Sequence, residues 1–187
     1  KTIIVDLQRD MDEILKECNP STRNEIRHTL QTPSLSFVID DKNYGIVYDL
    51  YRSFEIAQHR RPLKKDMFLG CKVFSAYLDD VLVSSIICYD VYPCLRSRAN
   101  FSKRLETNDK VYNRLISRSS KRLIYEICKY GKEHGYKLFD QGAVNFADSA
   151  KKGIAEFKMS FGGTVVDEYT YTYCSPFVRA LKKLRLL

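Results

Sequence analysis

The spacing of hydrophobic positions predicts helices first and then a central sheet. Apolar residues recur every three or four positions over Tyr44–Gln58, which is typical of an amphipathic helix. Two later runs, Cys71–Leu78 and Val81–Tyr92, are rich in β-branched and aromatic residues and flank the pair Asp79-Asp80. Short polar pairs between two such runs favour a tight β-hairpin, so this part of the chain predicts an antiparallel meander.

The second half of the chain returns to helical spacing and then alternates. A helix is predicted over Ser119–His134, and Gly135 ends it because glycine adopts left-handed geometry readily. The strand Tyr136–Phe139 follows. A helix from about Ser149 is predicted to place Ile154, Phe157 and Phe161 on its core side, and Gly162-Gly163 stops it. We expect a closing strand over Val165–Tyr173, whose Tyr169, Tyr171 and Tyr173 pack on the sheet and core.

Together these elements predict one α/β domain over residues 1–187, with a mixed, mostly antiparallel sheet of six or seven strands flanked by helices. A short strand opens the chain at residues 2–7. Thr22 is expected to start a helix, with Glu25 closing a capping box. The tail Phe177–Leu187 is basic and amphipathic, and we interpret it as a docking helix.

The charge of the chain points to an anionic partner. Its net charge is +8 at pH 7 and its sequence pI is about 9.1. Nucleic acid, coenzyme A or an acidic membrane face would fit, and so would a surface that is simply solvated by lysine. Six cysteines without a close pair argue against a zinc site and favour a reduced, cytoplasmic setting. No apolar run approaches the ~20 residues of a membrane span.

Two motifs in fixed order carry a family resemblance. The segment GYKLFDQG at residues 135–142 is followed by a helix that ends in FKMSFGG at residues 157–163. This arrangement resembles the C-terminal half of the GNAT superfamily of acyltransferases, in the branch that contains the Fem-type peptidoglycan aminoacyltransferases and their single-domain relatives. The resemblance implies a GNAT-like fold and direct transfer of an acyl or aminoacyl group to an amine acceptor. That acceptor would be a sugar, peptide or metabolite, in an envelope or polysaccharide setting.

The acyl donor implied by the resemblance is acyl-CoA, and aminoacyl-tRNA is the alternative donor. We expect the donor's phosphates at the start of the predicted second-half helix, because free backbone N–H groups and the helix dipole favour anions there. The candidate donor-binding residues are Arg114, Arg118, Ser119, Ser120 and Lys121. The same serines can instead serve only as helix caps.

Three residues near the predicted cleft are candidates for catalysis. Asp140 ends a predicted strand, where it can orient or deprotonate an amine, or merely cap the next loop. Lys158 lies in the FKMSFGG motif, where it can stabilise a phosphate or an oxyanion, or be one more solvated lysine. Asn145 follows Asp140 in the same polar stretch and completes the set.

A pair of arginines is a candidate substrate-binding element. Arg60 and Arg61 follow the third predicted helix and can bind a phosphate or carboxylate with two parallel hydrogen bonds each. Arginines just before Pro62 are also typical of a solvent-exposed helix end.

The sequence also favours a second hypothesis from another class. No glycine occurs from residue 71 to residue 130, so the backbone there lacks the close approach that a glycine-rich loop gives to a pyrophosphate. Phe157 stands where many GNAT enzymes use a tyrosine to protonate the leaving thiolate. Both features fit a domain that has lost its chemistry and binds RNA or another polyanion.

Overall fold

The structure is a computed structural model that describes residues 1–169, Tyr171, Tyr173 and Ser175, apart from the side chain of Ala150. The strands within these residues are β1 (Thr2–Asp6), β2 (Leu35–Ile39), β3 (Cys71–Leu78), β4 (Val81–Val91), β5 (Cys94–Ser102), β6 (Leu138–Ala143) and β7 (Thr164–Val166). The α-helices are α1 (Met11–Glu17), α2 (Pro20–Thr29), α3 (Tyr44–Ala57), α4 (Lys110–Glu133) and α5 (Lys152–Met159). Short 3₁₀ helices lie at Lys65–Phe68, Lys103–Leu105 and Ser149–Lys151.

All seven strands belong to one sheet, in the order β2-β3-β4-β5-β6-β1-β7. Every neighbouring pair is antiparallel except β5 and β6, which run parallel. A parallel pair needs a crossover connection, and α4 provides it. The predicted α/β fold with a mixed, mostly antiparallel sheet is therefore confirmed.

Helices cover both faces of the sheet. The larger apolar cluster joins α1, α2 and α4 to the strands, and its fully buried members include Phe74, Leu95, Leu123 and Phe139. On the other face α3 packs through Tyr51 against Phe101, with ring centroids 5.4 Å apart. A third, small cluster brings Ala155 of α5 onto Ile3 and Val144. Burial of these apolar faces fixes where each strand end lies.

The first strand is inserted between two strands from the other end of the chain. β1 pairs with β6 on one side and with β7 on the other. The Gly162-Gly163 pair makes this insertion possible. A Cβ on Gly163 would lie 2.6 Å from the carbonyl oxygen of Ile4, and both glycines have positive φ. The prediction that these glycines stop the preceding helix is confirmed, and the structure adds a packing reason for them.

The hairpin between β3 and β4 forms at the predicted position. Asp79 and Asp80 both adopt positive φ, 47° and 63°, which is the geometry of a two-residue type I′ turn. Aspartate tolerates this region better than most residues.

Several predicted boundaries were wrong. α2 begins at Pro20, and its N-cap is Asn19, whose side chain accepts a hydrogen bond from the backbone N–H of Thr22, so Thr22 is not the cap. Of the three core residues predicted for the helix after β6, Phe161 is buried in the main apolar cluster and Phe157 packs against it, but Ile154 is 51% exposed and Ala155 is buried instead.

The final strand is shorter than expected. It ends at Val166, and the tyrosines predicted to pack on the sheet, Tyr169, Tyr171 and Tyr173, lie outside it and are 73–92% exposed. The predicted helix over 177–187 falls outside the described residues.

Candidate active site

The parallel strands β5 and β6 pair over only three positions and then separate. The pairs are Cys94 with Leu138, Leu95 with Phe139, and Arg96 with Asp140. Beyond Arg96, β5 continues to pair with β4 alone, and Arg98 is the extra residue of a β-bulge in that pairing. We call the region between Ser97 on β5 and Gln141–Ala143 on β6 the wedge. Backbone groups along a separated strand edge are free to bind a ligand.

A glycine shapes the narrow end of the wedge. Gly142 has φ +79°, and a Cβ at this position would lie 2.9 Å from the carbonyl oxygen of Ser97. Its N–H turns back to donate a 2.7 Å hydrogen bond to the carboxylate of Asp140. Gly142 therefore lets the backbone of β6 pass close to the Ser97 carbonyl directly after the last pair.

Asp140 is a buried carboxylate surrounded by donors. Its side chain accepts hydrogen bonds from the hydroxyl of Thr2 and the N–H of Gly142, and Arg96 Nη1 lies 2.9 Å from its Oδ2. Arg96 also bonds Glu168. Asp140 is only 4% exposed. These contacts fit a carboxylate that holds Arg96, Thr2 and the turn at Gly142 in place, and they use most of its acceptor capacity.

Lys158 lies next to this cluster, and its Nζ would be 3.5 Å from a Cβ on Gly142. Its Nζ donates a 3.0 Å hydrogen bond to the carbonyl oxygen of Ala143, the last residue of β6. Burial lowers the pKa of Lys158, and the charge of Arg96 adds to this effect, while Asp140 and Glu168 oppose it. A partly desolvated ammonium at the end of a strand is a strong donor for developing negative charge.

Asn145, the third candidate for catalysis, lies in the loop after β6. It is exposed, and its side-chain oxygen accepts a 3.0 Å hydrogen bond from the N–H of Ala147. This contact closes a local turn. A catalytic role for Asn145 stays a prediction, without support from its position.

The predicted helix start at the donor-binding residues was wrong. α4 begins at Lys110, nine residues before the expected start at Ser119. Its N-cap is Asp109, whose carboxylate accepts hydrogen bonds from the N–H groups of Val111 (2.8 Å) and Tyr112 (3.2 Å). The first turns of α4 are polar and were therefore not recognised as helix. Serine is a common N-cap, so the later Ser119 and Ser120 were mistaken for the start of the helix. An acidic cap now occupies the N–H groups that a phosphate would use.

Ser119 and Ser120 are buried inside α4 and neither caps it. Both hydroxyls donate to the carbonyl of Ile116, at 2.7 and 3.1 Å, and Ser120 also bonds Ser84 at 2.8 Å. Lys121 pairs with Glu25 of α2. These contacts leave the two hydroxyls and the Lys121 ammonium occupied within the protein, so their role in donor binding stays a prediction that the geometry does not favour.

The arginines of the predicted donor site differ from one another. Arg114 is exposed near the N-terminus of α4. Arg118 is partly buried, and its Nε has no hydrogen-bond partner. Of the predicted substrate pair, Arg60 makes a bidentate ion pair with Glu55, at 2.9 and 2.7 Å, whereas Arg61 is exposed. Arg114 and Arg61 therefore present their charge to solvent.

Sequence reasoning gave no individual role to four residues, three at the wedge and Asp109 at the N-terminus of α4. Thr2 reaches Asp140 from 138 positions away, and no sequence signal marks such a contact. Arg96 carries a signal, since a charged residue within a strand needs a partner. Asp109 directly precedes a helical run, which is a cap pattern. Gln141 is 2% exposed and both atoms of its amide lack a partner.

Two surface clefts lie outside the wedge, and the smaller one borders Asp140 through its strand neighbours Ile4 and Leu138. The larger, about 780 Å³, lies between α3, the Lys65–Phe68 turn and the ends of β3 and β4. The smaller, about 490 Å³, is lined by β1, β7 and Arg9. Among the described residues, no group of three His, Cys, Asp or Glu side chains can hold a metal ion. Within the same residues, no helix combines the length and the apolar character needed to cross a membrane.

Comparison with known proteins reveals a shared fold. No family model matches the sequence, and no curated protein matches it. The solved structure of FemX superposes with a TM-score of 0.71 at 13% identity, over 87% of this chain and 58% of FemX. L-PGS from Bacillus licheniformis gives 0.57 at 12% identity, over 87% of this chain and 56% of that one. This chain therefore spans less than two thirds of either protein.

A shorter neighbour matches almost end to end. An aminoglycoside acetyltransferase from an uncultured soil metagenomic sample gives a TM-score of 0.54 at 16% identity, covering 76% of this chain and 96% of its own. Identities this low establish the fold only. The chain has the GNAT-like fold that FemX, L-PGS and this acetyltransferase share, as its resemblance to Fem-type proteins predicted.

Proposed function

We propose that this protein transfers an acyl or aminoacyl group to an amine acceptor, with its reaction centre at the wedge. The main support for this proposal is the position of Lys158. Its partly desolvated ammonium lies against the end of β6, beside Asp140 and Arg96. The fold supports the same class of reaction, because its neighbours include an acetyltransferase. The acceptor would be an amine of a sugar, a peptide or a metabolite, as in envelope or polysaccharide chemistry.

In this proposal the amine attacks the donor carbonyl directly while both substrates are bound. The new C–N bond places negative charge on the carbonyl oxygen. The charge returns to the carbonyl as the bond to the tRNA ribose oxygen, or to the coenzyme A sulfur, breaks, and the leaving group takes a proton from water. One N–H of Lys158 is engaged by the Ala143 carbonyl, which leaves two donors for the charged carbonyl oxygen of the donor. Such a preorganised donor typically contributes a factor of about 10² to 10³ in rate.

Asp140 acts in the proposal as a positioning residue. Its carboxylate is already engaged by Thr2, Gly142 and Arg96. These contacts use most of its acceptor capacity and leave little of it for an incoming amine. We therefore assign the proton of the attacking amine to water.

The N-terminus of α4 favours aminoacyl-tRNA over acyl-CoA as the donor. Asp109 occupies the N–H groups of Val111 and Tyr112 and places a negative charge where a pyrophosphate would lie. Exposed cations at the same end of the sheet, including Arg104 and Arg114, fit a longer polyanion. Either donor implies a cytoplasmic protein, and that location is part of the proposal.

The test is a transfer assay with two labelled donors, acetyl-CoA and aminoacyl-tRNA, against a panel of amino sugars and peptides. We expect transfer from aminoacyl-tRNA and a fall of about 10²-fold in kcat for Lys158→Met. The matched control is Lys152→Met, which removes an exposed lysine from the same helix. Its kcat should stay within about twofold of the unmodified protein.

Two results would contradict the proposal. One is equal activity in Lys158→Met and Lys152→Met, which would place the chemistry elsewhere. The other is folded protein that transfers from neither donor but binds RNA with steep salt dependence. That result would favour the binding-module alternative.

A further inference from the structure

The larger of the two clefts lies at the end of the sheet opposite the wedge. Its volume is about 780 Å³, within the range of about 300–1,000 Å³ that small-ligand sites have in proteins. Its lining includes Asp90 near the end of β4, and Asp90 pairs with Leu95 at the paired end of β5. The reaction proposed at the wedge does not use this cleft.

Apolar side chains form one part of the cleft wall. The rings of Tyr44 and Phe68 stack with their centroids 5.0 Å apart. Leu69 is 77% exposed, although the preceding Phe68 is buried. Gly45 and Gly70 keep the wall open, because no heavy atom lies within 4 Å of a Cβ built on either residue. An exposed leucine beside stacked rings favours a ligand with an apolar or aromatic group.

The charged side chains of the cleft balance one another. Three lysines and three aspartates give its lining a formal charge of zero, whereas the whole chain carries +8. They are Lys42, Lys65, Lys72, Asp40, Asp66 and Asp90. A neutral lining does not attract a polyanion such as nucleic acid. It suits a ligand that carries charges of both signs.

Two of these six charges are available to a ligand. The other four form two ion pairs, at 2.8 and 3.3 Å. Lys65 and Asp66 are neighbours on the 3₁₀ turn, and within the described part of the chain neither makes an ion pair. The Lys65 ammonium lies over the ring of Tyr48, 5.4 Å from its centroid. The cleft therefore offers an ammonium and a carboxylate side by side.

We propose that this cleft binds a mixed-charge peptide segment. A carboxylate of the peptide pairs with Lys65, an ammonium pairs with Asp66, and an apolar or aromatic side chain lies against Leu69 and Tyr44. A neutral saccharide would leave both charges unused, and a polyanion would be repelled by the three aspartates. The site is independent of the proposed transfer reaction, because none of its residues lies at the wedge.

The test measures binding of the tripeptide Lys-Phe-Glu, capped at both ends so that only its side chains are charged, by NMR titration. The blocking variant is Gly45→Leu and its matched control is Gly153→Leu. Each glycine is the second residue of its helix, and a Cβ on either meets no heavy atom within 4 Å. Leucine is a better helix former than glycine, so the melting temperature of both variants should stay unchanged or rise. Only Gly45→Leu should abolish binding, because its side chain fills the cleft.

The charges are tested by Lys65→Gln and Asp66→Asn. Each should raise the Kd about two- to fivefold, the range expected for one solvent-exposed ion pair. The control Lys64→Gln changes an exposed lysine outside the cleft lining and should leave the Kd unchanged.

Alkylation followed by mass spectrometry gives a second readout. Cys71 lines the cleft and is half-buried, so the bound tripeptide should slow its alkylation. The half-buried Cys94 lies outside the lining and should react at the same rate with and without peptide.

Several results would overturn this assignment. One is failure of the unmodified protein to bind Lys-Phe-Glu, and another is equal affinity for the capped neutral tripeptide Gln-Phe-Gln. Equal binding by Gly45→Leu and Gly153→Leu would place the peptide elsewhere. Preferential binding of chitobiose would make the cleft a saccharide site. The Lys158→Met transfer assay decides the proposed function separately, because it changes no residue of this cleft.

Discussion

The two ends of the β5–β6 pair differ in what their side chains do. At the paired end Leu95 lies beside Phe139, and both are buried in the largest apolar cluster. At the separated end the residues that follow are Gln141 and Gly142, flanked by Lys158. Ladder hydrogen bonds and apolar packing stabilise the first end. The second end has neither, and it has buried polar groups that the protein leaves unpaired.

This difference shows how one strand pair serves stability and chemistry at once. The paired end holds the strand positions firmly, because packed cores resist displacement. Gly142 then lets the backbone of β6 pass close to Ser97, where a side chain would clash. Side chains placed directly beyond a rigid strand end are therefore held in well-defined positions.

The largest loss of stability is expected from a substitution at the paired end. Phe139→Ala should destabilise the protein by about 3–5 kcal/mol, because it removes a fully buried aromatic and leaves a cavity. Chemical denaturation of the purified protein measures this. The control is Leu138→Ala on the same strand, where the side chain is 36% exposed and the loss should be smaller by at least half. Equal losses in the two variants would mean that the paired end is not the rigid part.

A smaller effect is expected at the N-terminus of α4. Asp109→Ala should cost about 1 kcal/mol of stability, because two N–H groups lose their cap. The same change removes the negative charge that we hold responsible for excluding pyrophosphate. Coenzyme A affinity, measured by calorimetry, should therefore rise in Asp109→Ala. Tight coenzyme A binding by the unmodified protein, weakened by this substitution, would contradict our account of the donor.

Much of the fold could be predicted because its signals are local. The Asp79-Asp80 turn and the two runs beside it define the hairpin without any distant contact. Gly162-Gly163 likewise marks the end of a helix from the sequence alone. The resemblance over residues 135–163 supplied the fold that the structure confirms.

The site could be predicted only where its residues fall within a motif. Asp140 and Lys158 do, and the structure brings both to the wedge. The bond from Thr2 to Asp140 depends on β1 entering the sheet between β6 and β7, a long-range event with no sequence pattern. The prediction for the serines of α4 was wrong because serine occurs both at helix N-caps and inside helices. Inside α4 the Ser119 hydroxyl donates to the carbonyl of Ile116, and the sequence alone does not distinguish the two positions.

The pH dependence of stability follows from the lowered pKa of Lys158. Its folded pKa lies below the ordinary lysine value of 10.5, so the unfolded chain holds this proton more tightly. Below its folded pKa, charged Lys158 therefore lowers the free energy of unfolding. This destabilisation is lost as the pH rises from the folded pKa of Lys158 towards 10.5. The stability of the unmodified protein relative to Lys158→Met should therefore increase over this alkaline range.

The most direct test of the central claim is a titration of Lys158 itself. Lysines labelled with ¹³C-methyl groups can be followed one by one by NMR, with Lys158→Met assigning the signal. We predict that Lys158 titrates below the ordinary lysine value of 10.5 and that its pKa falls further in Asp140→Asn, where a compensating charge is lost. A Lys158 signal that titrates at or above 10.5 would contradict the account, because the wedge would then be ordinary solvated surface.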